Sequence, residues 1–422
     1  MTRDVGGTDM QHATARADDL PVMRALADLH SEDMDVEAMR LDGMLETGEF
    51  SIRTESDPHR VADIWRTLQE NAFGTLFTSY EWLSSWYDHV GRARGIEALI
   101  VVGEVDGEPA FLLPLSITRK ARGHLRICRF LGDFHGNQNS GLWRRDVLAG
   151  IHVRSLRKVL LKVAASHRID LFDLKYVPET IDERVHPLIC PHAIASLNAV
   201  HAFPLEADFD KVYKARRSSS ARKKLRTKER KLAETGTVCH RRAEDPATAL
   251  RFLETLITQR GLRQASSGIP NVFDAPDMRA FLTEQLVRSM EAGDNRCMIY
   301  GLEVDGEVRA TYLCGMQYER FHAYTNSICE DAGVYSPGDL LLLHVIADAC
   351  RLGATSFDFG LGAERYKTSW ADREALMDVA LPVTLKGRAA IFAIRRIRDL
   401  RRTIRNTPAL WSLVRKMRRL RA

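Results

Sequence analysis

Two stretches of the chain share one pattern of apolar and polar positions. Leu99–Leu115 (LIVVGEVDGEPAFLLPL) and Met298–Met316 (MIYGLEVDGEVRATYLCGM) each set two apolar runs around an identical EVDGE centre. Asp-Gly between strand-like runs predicts a tight β-hairpin, because glycine accepts the positive φ that the turn demands. Downstream of each hairpin comes a helical pattern and then a strand-like segment containing Phe-Asp, LRKVLLKVAASHRIDLFDLKY in the first copy and DLLLLHVIADACRLGATSFDFG in the second. Glu104 and Glu303 are 199 residues apart and Asp173 and Asp358 are 185 apart, so the copies differ in loop length. The recurrence predicts two α/β halves of one design, each with a mixed, mostly antiparallel and partly parallel sheet.

The second copy holds the best-delimited helix. Ser336 has the side chain of an N-cap, Pro337 suits the first helical position, Asp339 follows the cap by three residues, and Gly353 ends the run Leu340–Leu352. Gly338 leaves the first turn bare, so a phosphate can approach backbone N–H groups at the positive end of the helix dipole, where Asp339 competes with it. Tyr335, Ser336, Pro337, Gly338, Asp339 and Leu340, with Asn326 on the preceding strand-like segment ERFHAYTNSI, form the candidate cofactor-binding set. On that segment His322, Tyr324 and Asn326 alternate, which places them on one sheet face.

In the first copy, Tyr80, Trp82, Trp86 and Tyr87 make an aromatic helix whose one-turn spacing of Trp82 and Trp86 fits a core contact better than a sugar platform. The loop LGDFHGNQNSG (Leu131–Gly141) sets His135, Asn137, Gln138 and Asn139 between glycines, which suits a polar, sugar-like acceptor and equally a solvated loop. In FDFGLGAERYKTSW, Asp358 ends a strand, Gly360 and Gly362 make a close-approach loop, and Glu364, Tyr366 and Lys367 follow toward one cleft.

The formal charge of +5 conceals two basic blocks: Lys211–Lys231 holds eleven Lys/Arg against Glu229, and Lys386–Ala422 holds thirteen against Asp399. Together they carry +22, leaving 5 − 22 = −17 for the rest, an acidic body bearing two basic devices. The first block, Lys211–Glu234, reads as one long exposed helix with a thin seam of Ala221, Leu225 and Leu232. The second reads as a basic amphipathic helix (Ile391, Ile394, Ile397, Leu400, Ile404) that Pro408 ends before a short segment with Trp411, Val414 and Met417; it can lie on an anionic membrane or pack on the body. Seven scattered cysteines without a CxxC pair argue against a disulfide framework or zinc site, so no metal is expected. No apolar run spans a membrane and the amino terminus lacks a secretory pattern, so the expected location is cytoplasmic, with peripheral contact at the inner membrane face. The expected divisions are 1–51, a poorly ordered extension with one amphipathic helix around Leu20–Met44; 52–205; 206–385; and the tail 386–422.

As an ensemble, FTSYEWLSSWYDHVG (Phe77–Gly91), RRSSSARKKLRTKERKLAETG (Arg216–Gly236), YSPGDLLL (Tyr335–Leu342) and FDFGLGAERYKTSW (Phe357–Trp370) resemble the GNAT superfamily. The likeness is to tandem-GNAT proteins of the CelD/BcsL type, with a BioF-like acetyltransferase domain, cousins of the FemABX aminoacyltransferases; it covers roughly Ile52 to Leu385. The chain departs from the usual GNAT phosphate signature, since Tyr335 and Leu340 stand where Arg or Gln and a small residue are usual, and only Gly338 matches. The resemblance implies two tandem GNAT-like domains, 206–385 carrying the acyl-CoA site and 52–205 having lost catalysis because Gly150–Leu156 lacks the Ser-Pro-Gly arrangement. It implies transfer from acetyl-CoA or another acyl-CoA to a polar small-molecule, sugar or envelope-precursor acceptor, as in cellulose or polysaccharide synthesis. By the same likeness Lys367 contacts substrate or phosphate, Tyr366 serves as acid or positioner, and Glu364 or Asp358 serves as base; on their own chemistry and placement His135, Asn137, Gln138, Asn139 and Tyr324 are the candidates to line the acceptor side. Two alternatives stay open: FemABX-like aminoacyl transfer from charged tRNA, although a nucleic-acid partner is not the expectation, and a non-catalytic module docked on a membrane-bound synthase.

Overall fold

The computed structural model describes residues 50–120, 124–132, 135–191, 193–265, 270–329, 333–362 and 364–407. The expected helix around Leu20–Met44 and the segment with Trp411, Val414 and Met417 lie outside the described residues.

In the first half, β1 (Ser51–Glu55), α1 (Ala62–Glu70) and α2 (Tyr80–Trp86) precede the hairpin of β2 (Glu97–Val105) and β3 (Glu108–Lys120), followed by β4 (Leu125–Phe130), α3 (Val153–His167) and β5 (Leu171–Pro178). After β6 (Val200–Pro204) and the basic helices α4 (Phe209–Arg216) and α5 (Ser219–Ala233), the same order returns. It runs β7 (Val238–Arg242), α6 (Pro246–Ala265), α7 (Pro276–Ala292), β8 (Met298–Val304), β9 (Glu307–Gln317), β10 (Arg320–Ile328), α8 (Pro337–Arg351) and β11 (Ser356–Leu361). The chain closes with α9 (Arg365–Thr368), β12 (Leu376–Pro382) and α10 (Leu385–Asn406). Both predicted hairpins form with the same turn: Asp106 and Gly107 have φ of 53° and 80°, Asp305 and Gly306 49° and 83°. Each hairpin also slips register once, just before the turn, at Gly103/Glu104 and at Leu302/Glu303.

The halves are locked together by exchanged strands. β6, which follows the first half, pairs antiparallel with β11 of the second (Phe203↔Phe357), while β12, from the end of the second half, pairs antiparallel with β5 of the first (Leu381↔Phe172). The sheets therefore run β1-β2-β3-β4-β5-β12 and β7-β8-β9-β10-β11-β6, with short edge pieces completing them, and both cross the chain division expected at 205. One apolar core also spans the halves. Trp65, Trp82 and Trp86 from α1 and α2 pack with Phe252, Met278 and Phe281 from α6 and α7, and Trp82 meets the Phe281 ring edge-on at 5.0 Å. Trp82 and Trp86 are core residues, each 2% exposed.

The first basic block forms two helices instead of the one expected. Arg217 is extended (φ −129°, ψ 128°), and the Ser218 side chain accepts from Ala221 N–H to cap α5. A serine run offers backbone N–H groups a local side-chain partner and so starts a new helix inside a charged stretch. Leu225 and Leu232 bury the predicted seam against α8. The tail is helical as expected through Asn406, capped by the Thr384 side chain. Among the described residues no helix is long and apolar enough to cross a membrane.

Because each sheet lacks a strand without the other half, residues 50–205 and 206–407 expressed separately should give little ordered secondary structure, and co-expressed they should co-elute as one folded complex. Circular dichroism and gel filtration of each piece check this; a separately folded half contradicts it.

Candidate functional site

β10 and β11 run parallel, yet they pair only from Arg320↔Ser356 to His322↔Asp358, although the strands continue to Ile328 and Leu361. A bulge sits at the parting: Cys314 pairs with Ala323 and Leu313 with Thr325, so Tyr324 is the extra residue. Beyond it the strands form a V beside the start of α8, and the β11-facing N–H groups of β10 have no partner on β11. The bulge overturns the expected alternation. His322 and Tyr324 both meet the Phe77 ring, at 5.4 and 5.7 Å, on the α6–α7 side, whereas Asn326 lies opposite Tyr312, which is buried against α8.

The root of the V is a buried charge cluster. Asp358, 0% exposed, accepts from Arg320 Nη2 (2.9 Å) and Nε (3.1 Å), from Gln138 Nε2 (2.9 Å) and from the Gly360 N–H (2.6 Å). His322 Nδ1 lies 3.5 Å from the same carboxylate, and Arg320 reaches on to Glu374 at 2.7 Å. Burial alone would raise the Asp358 carboxyl; the Arg320 charge and the donors outweigh it and hold it far below the usual range. Such a carboxylate does not take up a proton near neutrality. Asp358, expected as a possible base, instead anchors the strands.

At the start of α8 the expected cap is absent: Ser336 is left-handed (φ 52°) and its side chain makes no capping bond. Its Oγ accepts from Lys228 Nζ of α5, while its carbonyl accepts from Asp339 N–H (3.0 Å) and Leu340 N–H (3.2 Å). Gly338 is bare, but a Cβ there would lie 2.5 Å from the Ile328 side chain, so its open face is filled from within by β10. Loss of solvent pushes the Asp339 carboxyl up, against the pull of Lys228 and Arg217. Lys228 thus meets the helix start from the basic block, and Arg217, whose guanidinium donates to Ser369 and lies 5.3 Å over the Trp370 ring, adds its charge nearby, a juxtaposition that no local pattern announces. Tyr335, Pro337 and Leu340 are present at the same turn, Tyr335 half-buried and the other two buried.

The loop after β11 gathers Glu364, Tyr366 and Lys367 as expected, with a different division of contacts. Lys367 is buried, donating to the Leu361 carbonyl (2.5 Å) and pairing with Glu364 (3.0 Å), so its ammonium is turned inward and does not reach out to a phosphate. The Glu364 side chain remains 57% exposed. Tyr366 packs in the same cluster as Tyr312, and burial together with Glu364 raises its phenol well above its usual range. Beneath Asn326, Arg260 of α6 donates to the Asn326 carbonyl (3.2 Å), and its buried Nε has no partner among the described residues. Sequence reading missed Arg260 and Tyr312, which only topology brings to the V.

The first-half loop expected to bind an acceptor is spent largely on structure. Gln138 is buried on Asp358, and Asn139 donates its backbone N–H to the Tyr176 carbonyl (3.0 Å) and its side chain to the Lys175 carbonyl (3.1 Å). Asn137 lies over bare Gly360, where a Cβ would be 2.3 Å from its Nδ2. The His135 carbonyl accepts from Tyr324 Oη (2.9 Å), its ring accepts from Trp86 Nε1 (3.2 Å), and burial pulls it down to about 4. His135, Gln138 and Asn139 are thus committed to groups of the protein itself.

Beside this loop a cavity of about 440 Å³ lies between the halves, lined by Thr75, Gln138, Ser140, Glu179, Arg320 and Glu374 among others. The Glu179 Oε1 atom is buried without a partner among the described residues. Ser140 Oγ is 2.8 Å from His186 Nε2, but His186 Nδ1 accepts from Leu188 N–H (3.2 Å), which puts the ring proton on Nε2. His186 therefore donates to Ser140 and is not its base.

Residues 219–368 match the family model described as Acetyltransferase (GNAT) domain, a range that contains α5, the V, the α8 start and α9. No curated protein matches the chain in sequence. Among solved structures, FemX aligns with a TM-score of 0.52 at 11% identity, over 78% of this chain and 97% of that one. The C-terminal domain of a putative lysylphosphatidylglycerol synthetase from Agrobacterium fabrum gives 0.47 at 9% identity, over 80% and 95%. A tandem GNAT protein from the clavulanic acid biosynthesis pathway gives 0.42 at 10%, over 80% and 99%. The chain has a mixed α/β fold of GNAT-like design, and residues 219–368 of its second half are similar to a GNAT acetyltransferase domain.

Asp358→Asn should destabilise the protein by about 3 kcal/mol, because it removes the buried one of the two carboxylates that hold Arg320 and leaves only the half-exposed Glu374. Urea denaturation at pH 7 checks this, with Gln138→Ala costing less, about 1–2 kcal/mol. A second outcome concerns pH. Burial pulls His186 from 6.5 down to about 3, so the unfolded chain binds the extra proton between those values and stability falls as pH drops through them. At pH 5 this residue alone costs about 2 kcal/mol relative to pH 7, and His186→Gln should show a shallower loss of stability between pH 7 and 5.

Proposed function

We propose that the protein is an acyltransferase of the CelD/BcsL type that moves an acyl group from acyl-CoA, acetyl-CoA foremost, to an amine or hydroxyl of a polar acceptor in polysaccharide or envelope synthesis. The observation that carries this reading is the V between β10 and β11, opened by the Tyr324 bulge beside a helix start flanked by Lys228 and Arg217. The fit of a diphosphate is better at that basic rim than at Gly338, whose open face Ile328 occupies. β10 N–H groups freed past His322 suit a thioester carbonyl and the oxyanion that develops from it.

Attack by the acceptor nitrogen or oxygen forms the new acyl bond as the C–S bond breaks. The acceptor gives up a proton and the departing thiolate gains one. Holding an amine of ordinary pKa deprotonated at neutrality costs about 4–5 kcal/mol without help. Glu364, exposed at the mouth, is our choice of base, and Tyr366, kept protonated, of acid; Lys367 positions Glu364. The 440 Å³ cavity, with unpaired Glu179, is our choice for the acceptor's polar part. In the first half the corresponding gap is laced shut by Asn139 on β5, which supports a non-catalytic role there.

Calorimetric titration of acetyl-CoA tests the reading. Wild type should bind, Lys228→Glu should weaken binding at least about tenfold through loss of a charge-assisted phosphate contact, and Tyr366→Phe should bind normally while losing turnover. Absent acetyl-CoA binding with salt-sensitive binding of charged tRNA would shift the reading to FemABX-like aminoacyl transfer; binding of neither would leave a non-catalytic module.

A further inference from the structure

We propose that α10 is a fixed platform that docks the protein on an anionic lipid bilayer surface. The helix is clamped at its first turn. Thr384 Oγ1 donates to Asp170 Oδ1 (2.7 Å) and accepts from Gly387 N–H (3.2 Å), while Val383 and Thr384 N–H both donate to the Asp170 carbonyl (2.9 and 3.3 Å). Gly387 makes the approach possible, since a Cβ there would lie 1.9 Å from the Asp170 carbonyl oxygen. Ile391 and Ile394 then seat one face on Leu125, Ile127, Leu171 and Ala380 of the first sheet.

The opposite face is apolar where a surface helix is ordinarily polar. Leu385 (79% exposed), Phe392 (62%), Ile397 (50%) and Leu400 (60%) are four of the nine large apolar side chains exposed among the described residues. Leu385, Phe392 and Leu400, spaced by seven and eight residues, fall within an arc of about 80° around the helix, with Arg396 between them. Exposed Lys386, Arg388, Arg395 and Arg396 border them, and the Arg396 guanidinium sits 5.0 Å over the Phe392 ring.

Charge selects the occupant. A second copy would set arginine against arginine, and residues 408–422 bring five more Lys/Arg, so neither is a suitable cover for this face. A bilayer with acidic headgroups satisfies both features at once, taking the apolar side chains into the headgroup boundary and the guanidinium groups at the phosphates. The helix is about 33 Å long, and because its inner face is anchored it presents this surface without having to fold on binding.

Sedimentation of the full chain with vesicles of phosphatidylglycerol and phosphatidylcholine, against phosphatidylcholine alone, tests the proposal. Binding should require phosphatidylglycerol, weaken with salt, drop at least about tenfold in Phe392→Ser/Leu400→Ser, and fall about fivefold for each of Arg388→Gln and Arg395→Gln. All four positions are solvent-facing, so unchanged thermal unfolding confirms intact variants. Equal sedimentation with both vesicle types, or wild-type binding by Phe392→Ser/Leu400→Ser, overturns the proposal. So does a dimer in gel filtration that these substitutions dissociate, since the face would then belong to a second copy. Acetyl-CoA titration of the same variants should match wild type, which separates this surface from the acyl site.

Discussion

The open V depends on one ion pair. Two parallel strands that diverge give up ladder hydrogen bonds, and something must stop them from either zipping onward or separating entirely. Arg320 at the first pair and Asp358 at the last do this across the short paired stretch: the guanidinium makes two bonds to one carboxylate, and Gln138 and the Gly360 N–H complete its shell. A buried pair is rarely worth more than the packing it replaces, but breaking it is expensive, so its value here is geometric. It specifies where pairing ends. The bulge at Tyr324 then turns β10 away, and Asn326, Tyr312 and Tyr366 meet on the α8 side.

The first half uses the same device to another end. Asp173, the other Phe-Asp aspartate, pairs with Arg129 (3.3 Å) and Lys175 (2.9 Å) where β4 and β5 part. There the chain after β4 folds back, and Asn139 bonds the carbonyls of Lys175 and Tyr176, so the gap is occupied by its own loop. The neighbouring residue Gln138 reaches the other way, to Asp358. One loop therefore closes the first V and braces the second, and the exchange of β6 and β12 keeps the two in fixed relation. Duplication followed by loop divergence gives one open and one filled version of a single frame.

What was legible in the sequence was local. The EVDGE turns, the Leu340–Leu352 helix and the Phe-Asp strands follow from patterns within about twenty residues, and all form. The basic block misled because its charges masked the serine run that ends one helix and starts the next. The N-cap at Ser336 misled because Lys228, more than a hundred residues earlier, takes its hydroxyl. Asp358, Gln138 and Lys367 carried the right chemistry in the wrong role: each is buried, and burial is decided by which strands pair, which no residue spacing states. The one-residue bulge at Tyr324 is likewise invisible in ERFHAYTNSI, yet it moves Asn326 from one sheet face to the other.

The charge distribution follows the same logic of placement. A body of −17 would repel both a coenzyme diphosphate and an acidic surface, so cations have to be concentrated where such groups are to be met. α5 spends its thin apolar seam on α8 and brings one cation, Lys228, to that helix's first turn. α10 does the reverse, spending its inner isoleucines on the first sheet and turning Phe392, Leu400 and the arginines outward. Two basic helices of similar composition thus differ in what they can hold: α5 turns Lys228 to a helix start while Lys223, Lys224, Arg226, Arg230 and Lys231 stay in solvent, and α10 sets exposed apolar side chains among its arginines. Net charge alone could not distinguish them; the residues each helix buries do.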